Sequence, residues 1–126
     1  MNILLDTHFL LWIVTQASRL SEFPWLESYK PWGISPVSLL ELQYLAEIGR
    51  LNVTNPEFTE SLLEDPRFLV DEVPLVSLVQ RALDLSWTRD PFDRLLCAHS
   101  LARRVPFCTV DRKIGLNHSL LIKELG

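Results

Sequence analysis

The stretch "MNILLDTHFLLWIV" (residues 1–14) predicts a strand that runs directly into a helix. The segment "MNILL" is typical of a short buried strand, and Asp6 ends it. The following "THFLLWIV" carries apolar side chains on most sides of a helical wheel, as a well-buried helix does. An acidic residue therefore stands at the carboxyl end of the first predicted strand.

Strand and helix patterns alternate along the rest of the chain. We predict further strands at residues 33–35, 67–74, 106–110 and 120–122, and helices at residues 18–28, 36–51, 55–65, 75–86 and 90–104, with a last helical turn near 111–115. Pro24 breaks or begins the first of these helices, Pro36 starts the second with Gly49 as its C-cap, and Asn55 opens the third. The alternation predicts an α/β fold, a three-layer α/β/α sandwich around a short, mostly parallel sheet of about five strands, in a single domain over residues 1–126.

The composition is that of an ordinary soluble globular domain, with 48% hydrophobic and 22% charged residues. The apolar run at residues 9–14 is too short to cross a bilayer, and no basic segment precedes it. We therefore expect a cytoplasmic protein without a membrane partner. A net charge of −4 argues against binding nucleic acid by overall basicity, but it is compatible with a catalyst built around a local acidic centre.

Two acids stand three residues apart in "DPFDRLL" (residues 90–96), just before an apolar run. Asp90 is a favoured N-cap, Pro91 suits the first helical position, and Asp93 falls where the acid of a capping box would sit. On this stretch alone, both acids are explained by helix initiation.

Three other acids lie at positions that make them candidate functional residues. Asp6 and Asp111 follow predicted strands, where functional residues of parallel sheets collect, although each is also compatible with a simple helix cap. Glu41 lies on a helix stripe whose other members are apolar, so we expect it to point towards the core; these members are Val37, Tyr44, Leu45 and Ile48. A lone buried carboxylate is costly unless it is paired with a buried Arg or Lys, protonated or bound to a cation.

Short connections would bring these acids to one edge of the sheet. Carboxylates crowded together raise one another's pKa values, and a hard divalent cation such as Mg²⁺ or Mn²⁺ removes the conflict. Such a cation turns bound water into a nucleophile and stabilises the charge of a phosphodiester during displacement. The cluster, more than any single acid, favours a chemical role for these residues over helix capping alone.

The chain resembles a PIN-domain ribonuclease of the VapC toxin type. The matching segments are "LLDTHFLLW", "ISPVSLLEL", "DPFDRLLCAHSLA" and "FCTVD", which come in the family's order and spacing. The resemblance implies that Asp6, Glu41, Asp93 and Asp111 bind Mg²⁺ or Mn²⁺ and carry catalysis, while Asp90 caps its helix with an outer-sphere role. It also implies the toxin of a toxin–antitoxin pair, with RNA as substrate, an antitoxin protein as partner and a homodimer as the assembly.

The resemblance extends to residues around the acids. Thr7, Ser38 and Thr109 match small hydroxyl residues that orient carboxylates or water, although Thr7 and Ser38 also fit ordinary first-turn positions. Residues adjacent to the predicted ligands are candidates for RNA phosphate contacts, with solvated surface charge as the alternative; they are Arg94, Arg112 and Lys113. The sequence departs from many relatives at Leu40 and His99, and we expect His99 to be a partly buried helix residue.

Two other classes of function compete with the nuclease. A phosphate-signalling module with an Mg²⁺-binding acidic pocket is disfavoured, because no adjacent acidic pair follows the first strand and no lysine closes the last one. A protein-interaction domain of the same fold with an idle centre is also possible, but every expected ligand is present.

Overall fold

Four short parallel strands form the centre of the computed structural model, which describes residues 1–126. They are β1 (Leu4–Leu5), β2 (Trp32–Ile34), β3 (Phe68–Val70) and β4 (Phe107–Cys108). The sheet order is β3-β2-β1-β4, with Leu4 of β1 in register with Gly33 of β2 and Phe107 of β4. The predicted parallel α/β fold is confirmed, but the fifth strand is reduced to one parallel bridge between Phe107 and Leu121.

Six α-helices surround the sheet. They are α1 (Thr7–Thr15), α2 (Pro36–Glu47), α3 (Glu57–Glu64), α4 (Leu75–Ala82), α5 (Pro91–Arg103) and α6 (Arg112–Asn117). The helix predicted at residues 18–28 consists of two 3₁₀ segments, Ser18–Glu22 and Pro24–Tyr29, which meet at the non-helical Phe23; the predicted break next to Pro24 is confirmed, but neither segment is an α-helix. The helix predicted at residues 55–65 begins at Glu57 rather than Asn55. The Asn55 side chain instead accepts a hydrogen bond from Thr59 N at 3.1 Å.

Polar residues begin the helices that follow the strands. Asp6 Oδ1 accepts from Thr7 N at 2.7 Å, Ser35 Oγ from Val37 N at 3.2 Å, and Asp111 Oδ1 from Ile114 N at 2.9 Å. These side chains satisfy backbone N–H groups that have no partner inside the helix. Because β1, β2 and β4 are parallel neighbours, the starts of α1, α2 and α6 lie along the same edge of the sheet.

The sheet is covered on both faces. Ile3 and Leu5 belong to a core cluster of 14 buried residues with α1, whereas the intervening Leu4 belongs to a second cluster with Leu96 of α5 and Ile114 of α6. Alternate side chains of a strand point to opposite faces, so these two clusters define three layers. None of the helices combines the length and the apolar character that crossing a membrane requires.

Candidate active site

The ends of β1 and β4 place two of the predicted acids side by side. Asp6 N donates to Cys108 O at 3.0 Å, which continues the pairing of β1 with β4 up to the acid. Thr109 Oγ1 donates to Asp6 Oδ2 at 2.6 Å and accepts from Asp111 N at 3.0 Å. One buried hydroxyl therefore joins the carboxylate of Asp6 to the backbone of Asp111.

The other two predicted ligands come from α2 and α5, which pack against each other. The pKa of Asp93 is raised to about 7, first by burial and then, in decreasing order, by the negative charges of Asp90, Asp6, Asp111 and Glu41. Each of these acids is therefore close enough to Asp93 to disfavour its ionised form. The structure brings all four predicted ligands into one region, together with Asp90.

Two more carboxyl groups of the cluster are perturbed in the same direction. Burial raises the pKa of Asp6, although the hydrogen bond from Thr109 and the charge of His8 oppose the increase. Burial also raises the pKa of Glu41, and the charge of Asp6 reinforces the increase. Several carboxyl groups with raised pKa values in one region are a physical indication of a functional site.

Glu41 lies at the surface of this cluster and not in the core. It is half-buried, and its stripe neighbours Tyr44 and Ile48 are 50% and 46% exposed. The expectation that the stripe packs into the core is therefore wrong, because α2 buries the face that carries Ser38 and Leu42 instead. No Lys or Arg forms an ion pair with Glu41 or with the other three predicted ligands.

The donor chemistry of the cluster suits a hard divalent cation, since all four predicted ligands are carboxylates. However, no three of the chain's His, Cys, Asp or Glu side chains stand close enough together to hold one ion. The residues fit Mg²⁺ or Mn²⁺ by chemistry, and binding would require their side chains to converge.

Residues 3–116 match the PIN domain family. The chain belongs to the PIN domain family. It is 30% identical over 117 residues to Ribonuclease VapC22 of Mycobacterium tuberculosis, covering 90% of this chain and 89% of that protein.

Two solved structures share the fold of this PIN domain. A toxin-antitoxin complex from Klebsiella pneumoniae contains a chain that superposes with a TM-score of 0.68 at 16% identity, covering 96% of each chain. VapBC2 from Rickettsia felis, bound to a DNA fragment from its promoter, gives a TM-score of 0.66 at 18% identity over 98% of each chain.

Hydroxyl groups connect the helices of this PIN domain beneath its acids. Thr7 Oγ1 donates to Ser38 Oγ at 2.9 Å, and both residues are completely buried, so the starts of α1 and α2 are linked. Asp90 is exposed and caps α5 by accepting from Phe92 N and Asp93 N. Its charge also acts on Asp93, so the structure gives Asp90 both a capping and an electrostatic effect.

The three basic residues singled out in the sequence lie in different environments. Arg94 Nε donates to Thr88 O at 2.8 Å, and a second nitrogen of its guanidinium lies 3.3 Å from Ala82 O. That side chain therefore ties α5 to the connection from α4. Arg112 and Lys113 are exposed in the first turn of α6, directly after Asp111.

Two histidines interact with the site in ways that sequence reasoning missed. His8 is exposed at the second position of α1, and its charge acts on both Asp6 and Glu41; its position two residues after Asp6 was the available signal. His99 is completely buried, so the expectation of partial burial was wrong. It contacts Ser35 and Asp71, and no local sequence signal pairs these three residues.

Proposed function

We propose that this PIN domain is a divalent-metal-dependent endoribonuclease that hydrolyses RNA phosphodiester bonds and is the toxin of a toxin–antitoxin pair. It is supported by the proximity of four acids at one sheet edge, where the negative charges of Asp6, Asp111 and Glu41 contribute to the raised pKa of Asp93. The likeness to Ribonuclease VapC22 adds the substrate class. Acting on cellular RNA would place the protein in the cytoplasm.

The proposed ligands divide into a fixed and an adaptable group. Asp6 is held through both carboxylate oxygens, by Thr7 N and by the Thr109 hydroxyl, so its orientation is set before any ion binds. Glu41 and Asp93 have no side-chain ion pair and have raised pKa values, and a bound cation would favour the ionised form of each. A bound Mg²⁺ or Mn²⁺ would supply a water of lowered pKa and charge stabilisation at the phosphate.

The chain's own groups would then carry the proton transfer and position the RNA. A carboxylate of the cluster would accept the proton of the attacking water. Arg112 and Lys113 would contact phosphates next to the scissile bond, since both are exposed directly after Asp111. We leave Arg94 out of this set because its guanidinium already bonds to Thr88 O.

The test compares cleavage of structured and unstructured RNA by the wild type and three Asp→Asn variants, with Mn²⁺ and then with EDTA. We expect Mn²⁺-dependent cleavage that Asp6→Asn and Asp93→Asn abolish. Asp90→Asn is the matched control, because asparagine is an equally good N-cap, and we expect it to stay close to the wild type. Cleavage that persists in EDTA, or that survives Asp93→Asn but not Asp90→Asn, would contradict the proposed roles.

One observation favours a second candidate, a catalytically idle protein-interaction domain. No group of three metal-ligating side chains is assembled in the structure. Mn²⁺ titration separates the two candidates, because binding to the folded protein raises the temperature of unfolding. An idle domain should show no such shift, and the nuclease should show one that Asp93→Asn removes.

We propose an antitoxin protein and a second copy of this chain as binding partners. Leu75, Val79 and Leu83 form an exposed apolar stripe along α4 at intervals of four residues. Such a stripe can pack against its own symmetry mate, and exposed apolar surface of this kind marks interfaces. For the antitoxin, co-expression with the product of a short neighbouring reading frame should yield a complex in which RNA cleavage is suppressed.

A further inference from the structure

A buried polar network joins α5 to the start of α2 and to the end of β3. His99 Nδ1 lies 2.9 Å from Ser35 Oγ, and His99 Nε2 lies 2.8 Å from Asp71 Oδ2. Arg103 Nε donates to the same Asp71 oxygen at 2.8 Å. His99 and Ser35 are both completely buried, so their contact is shielded from water, whereas Asp71 and Arg103 carry the network to the surface.

The protons of this network can be assigned without leaving a group unsatisfied. Burial lowers the pKa of His99, and Asp71 offsets only part of the decrease, so the imidazole is neutral at pH 7. Burial alone would raise the pKa of Asp71, but the hydrogen bonds from His99 and Arg103 outweigh it, so the carboxylate is charged. His99 Nε2–H therefore donates to Asp71, and Ser35 Oγ–H donates to His99 Nδ1.

The same Ser35 oxygen accepts from Val37 N and so caps α2. Serine, histidine and aspartate are the residue types of a hydrolase triad, but this hydroxyl is completely buried and is engaged as a helix cap. No substrate reaches it, and acyl transfer is excluded on that ground. The network can therefore affect function only through the elements that it joins, which are α2, α5 and the end of β3.

Those elements carry two of the proposed metal ligands. Glu41 lies six positions after Ser35 along α2, and His99 lies six positions after Asp93 along α5, which is about 9 Å of helix rise in each case. At the other end of the pair, the rings of Tyr44 and Phe92 pack with centroids 5.8 Å apart.

Two contacts, which we call ties, therefore join α2 and α5: the Ser35–His99 hydrogen bond and the Tyr44–Phe92 ring contact. The two helices run in opposite directions, and the acids lie between the ties. Ser35 begins α2 and meets His99 late in α5, whereas Tyr44 late in α2 meets Phe92 at the start of α5. Glu41 lies between the ties on one helix, and Asp93 lies between them on the other. Moving either tie would change the separation of these two carboxylates.

We propose that His99 is a positioning residue that holds α2 and α5 together and so sets the separation of Glu41 and Asp93 for metal binding. This inference rests on the proposed nuclease function. Changes in groups that support metal ligands, without contacting the ion, typically alter metal affinity or activity by about tenfold to a hundredfold.

The experiment compares His99→Leu, which removes both hydrogen bonds, with His99→Gln, whose amide can both donate and accept. His118→Leu is the matched control. His118 is the other buried histidine, it bonds to Ser100 Oγ at 2.9 Å, and it lies outside the bracketed region. Mn²⁺ affinity is measured by calorimetry on each purified protein without RNA, and unfolding temperature, kcat and KM are measured in parallel.

We expect His99→Leu to weaken Mn²⁺ binding and lower kcat by about tenfold or more, with KM for RNA unchanged. His99→Gln should restore both, and His118→Leu should lower the unfolding temperature without changing Mn²⁺ affinity. If His99→Leu does not fold, Tyr44→Ala tests the other tie at a half-exposed position, with Tyr44→Phe as its control. Tyr44→Ala should weaken Mn²⁺ binding, and Tyr44→Phe should not.

Two results are decisive against the inference. In the first, the wild type binds Mn²⁺ and cleaves RNA, but His99→Leu or Tyr44→Ala binds Mn²⁺ no more weakly than His118→Leu does. This result would overturn the positioning role and would leave the nuclease function unaffected. A wild type that neither binds Mn²⁺ nor cleaves RNA would overturn the nuclease function, and the positioning role with it.

Discussion

Thr109 Oγ1 donates a 2.6 Å hydrogen bond to Asp6 Oδ2 across the ends of two neighbouring parallel strands. The other oxygen of Asp6 accepts from Thr7 N at 2.7 Å. Asp6 and Thr109 are only 6% and 4% exposed, so water cannot replace these partners readily. The first proposed ligand is therefore oriented by the strand pairing itself.

Replacing Thr109 by valine should weaken both the fold and the site. The change leaves a buried carboxylate oxygen without its donor, which costs roughly 1–3 kcal/mol of unfolding free energy. It should also raise the pKa of Asp6 further, because the hydrogen bond from Thr109 lowers it at present. Urea unfolding and Mn²⁺ titration check the two effects, and Thr109→Ser should preserve both. A Thr109→Val protein with wild-type stability would contradict this account of Asp6.

Asp90 should behave as a cap that is dispensable for cleavage. Asp90 Oδ1 accepts from Phe92 N at 2.8 Å and from Asp93 N at 3.2 Å, so Asp90→Ala leaves two helix donors without that partner. We expect Asp90→Ala to lose about 1 kcal/mol of unfolding free energy, and Asp90→Asn to lose little. RNA cleavage should survive in both variants when it is measured well below their unfolding temperatures. Loss of cleavage in folded Asp90→Asn would instead make Asp90 a ligand.

The fold was largely predictable because its signals are local. Apolar strands that end at acids, and helices that open with Pro36 or with Asp90 and Pro91, can be read within a few residues. The wrong predictions concern segments whose structure depends on tertiary contacts. Residues 120–122 have strand composition, yet only Leu121 makes a bridge to the sheet.

The grouping of the four acids was predictable from the sequence but their surroundings were not, and their role as ligands stays a prediction. Asp6 and Asp111 could be placed from strand ends, which parallel pairing brings to the same edge. The environment of Glu41 could not, since helix periodicity shows which residues share a face but not whether that face is covered. The contact of His99 with Asp71 spans 28 residues and depends on how α5 packs, so no local pattern encodes it.

The metal-free protein should lose stability as pH rises through the range in which Asp93 ionises. The pKa of Asp93 is raised from 3.8 to about 7 in the folded state, so between these values the folded chain binds more protons than the unfolded chain. Stability from this group is therefore full below about pH 4 and is lost as pH approaches about 7. The first cause of the shift is burial, and the second is the charge of Asp90.

Asp93→Asn removes this ionisation and serves as the comparison. In EDTA, the unfolding free energy of the variant relative to that of the wild type should increase by roughly 1–2 kcal/mol when the pH rises from about 5 to about 8. This figure is reduced for the partial solvent exposure of the carboxyl group. Urea unfolding at both pH values measures it. The buried histidines act in the opposite direction but are present in both proteins, so the difference isolates Asp93. Identical pH dependence in the two proteins would show that Asp93 ionises normally.

The exposed stripe of α4 should decide whether the chain self-associates. Leu83 is 68% exposed at the end of this stripe, and Leu116 is 86% exposed in the last turn of α6. Leu83→Lys and Leu116→Lys are matched changes, because each places a cation at the end of a helix, where the macrodipole favours it. Only the first one puts a charge on the apolar face that a second copy would cover.

Sedimentation equilibrium then gives the assembly directly. We expect twice the chain mass for the wild type and for Leu116→Lys, and a single chain mass for Leu83→Lys with its helical circular dichroism preserved. A charge buried at an interface core without a partner is costly, so dissociation should follow from this one substitution. A wild type of single chain mass, or a Leu83→Lys protein that remains a dimer, would remove α4 as the proposed contact between copies.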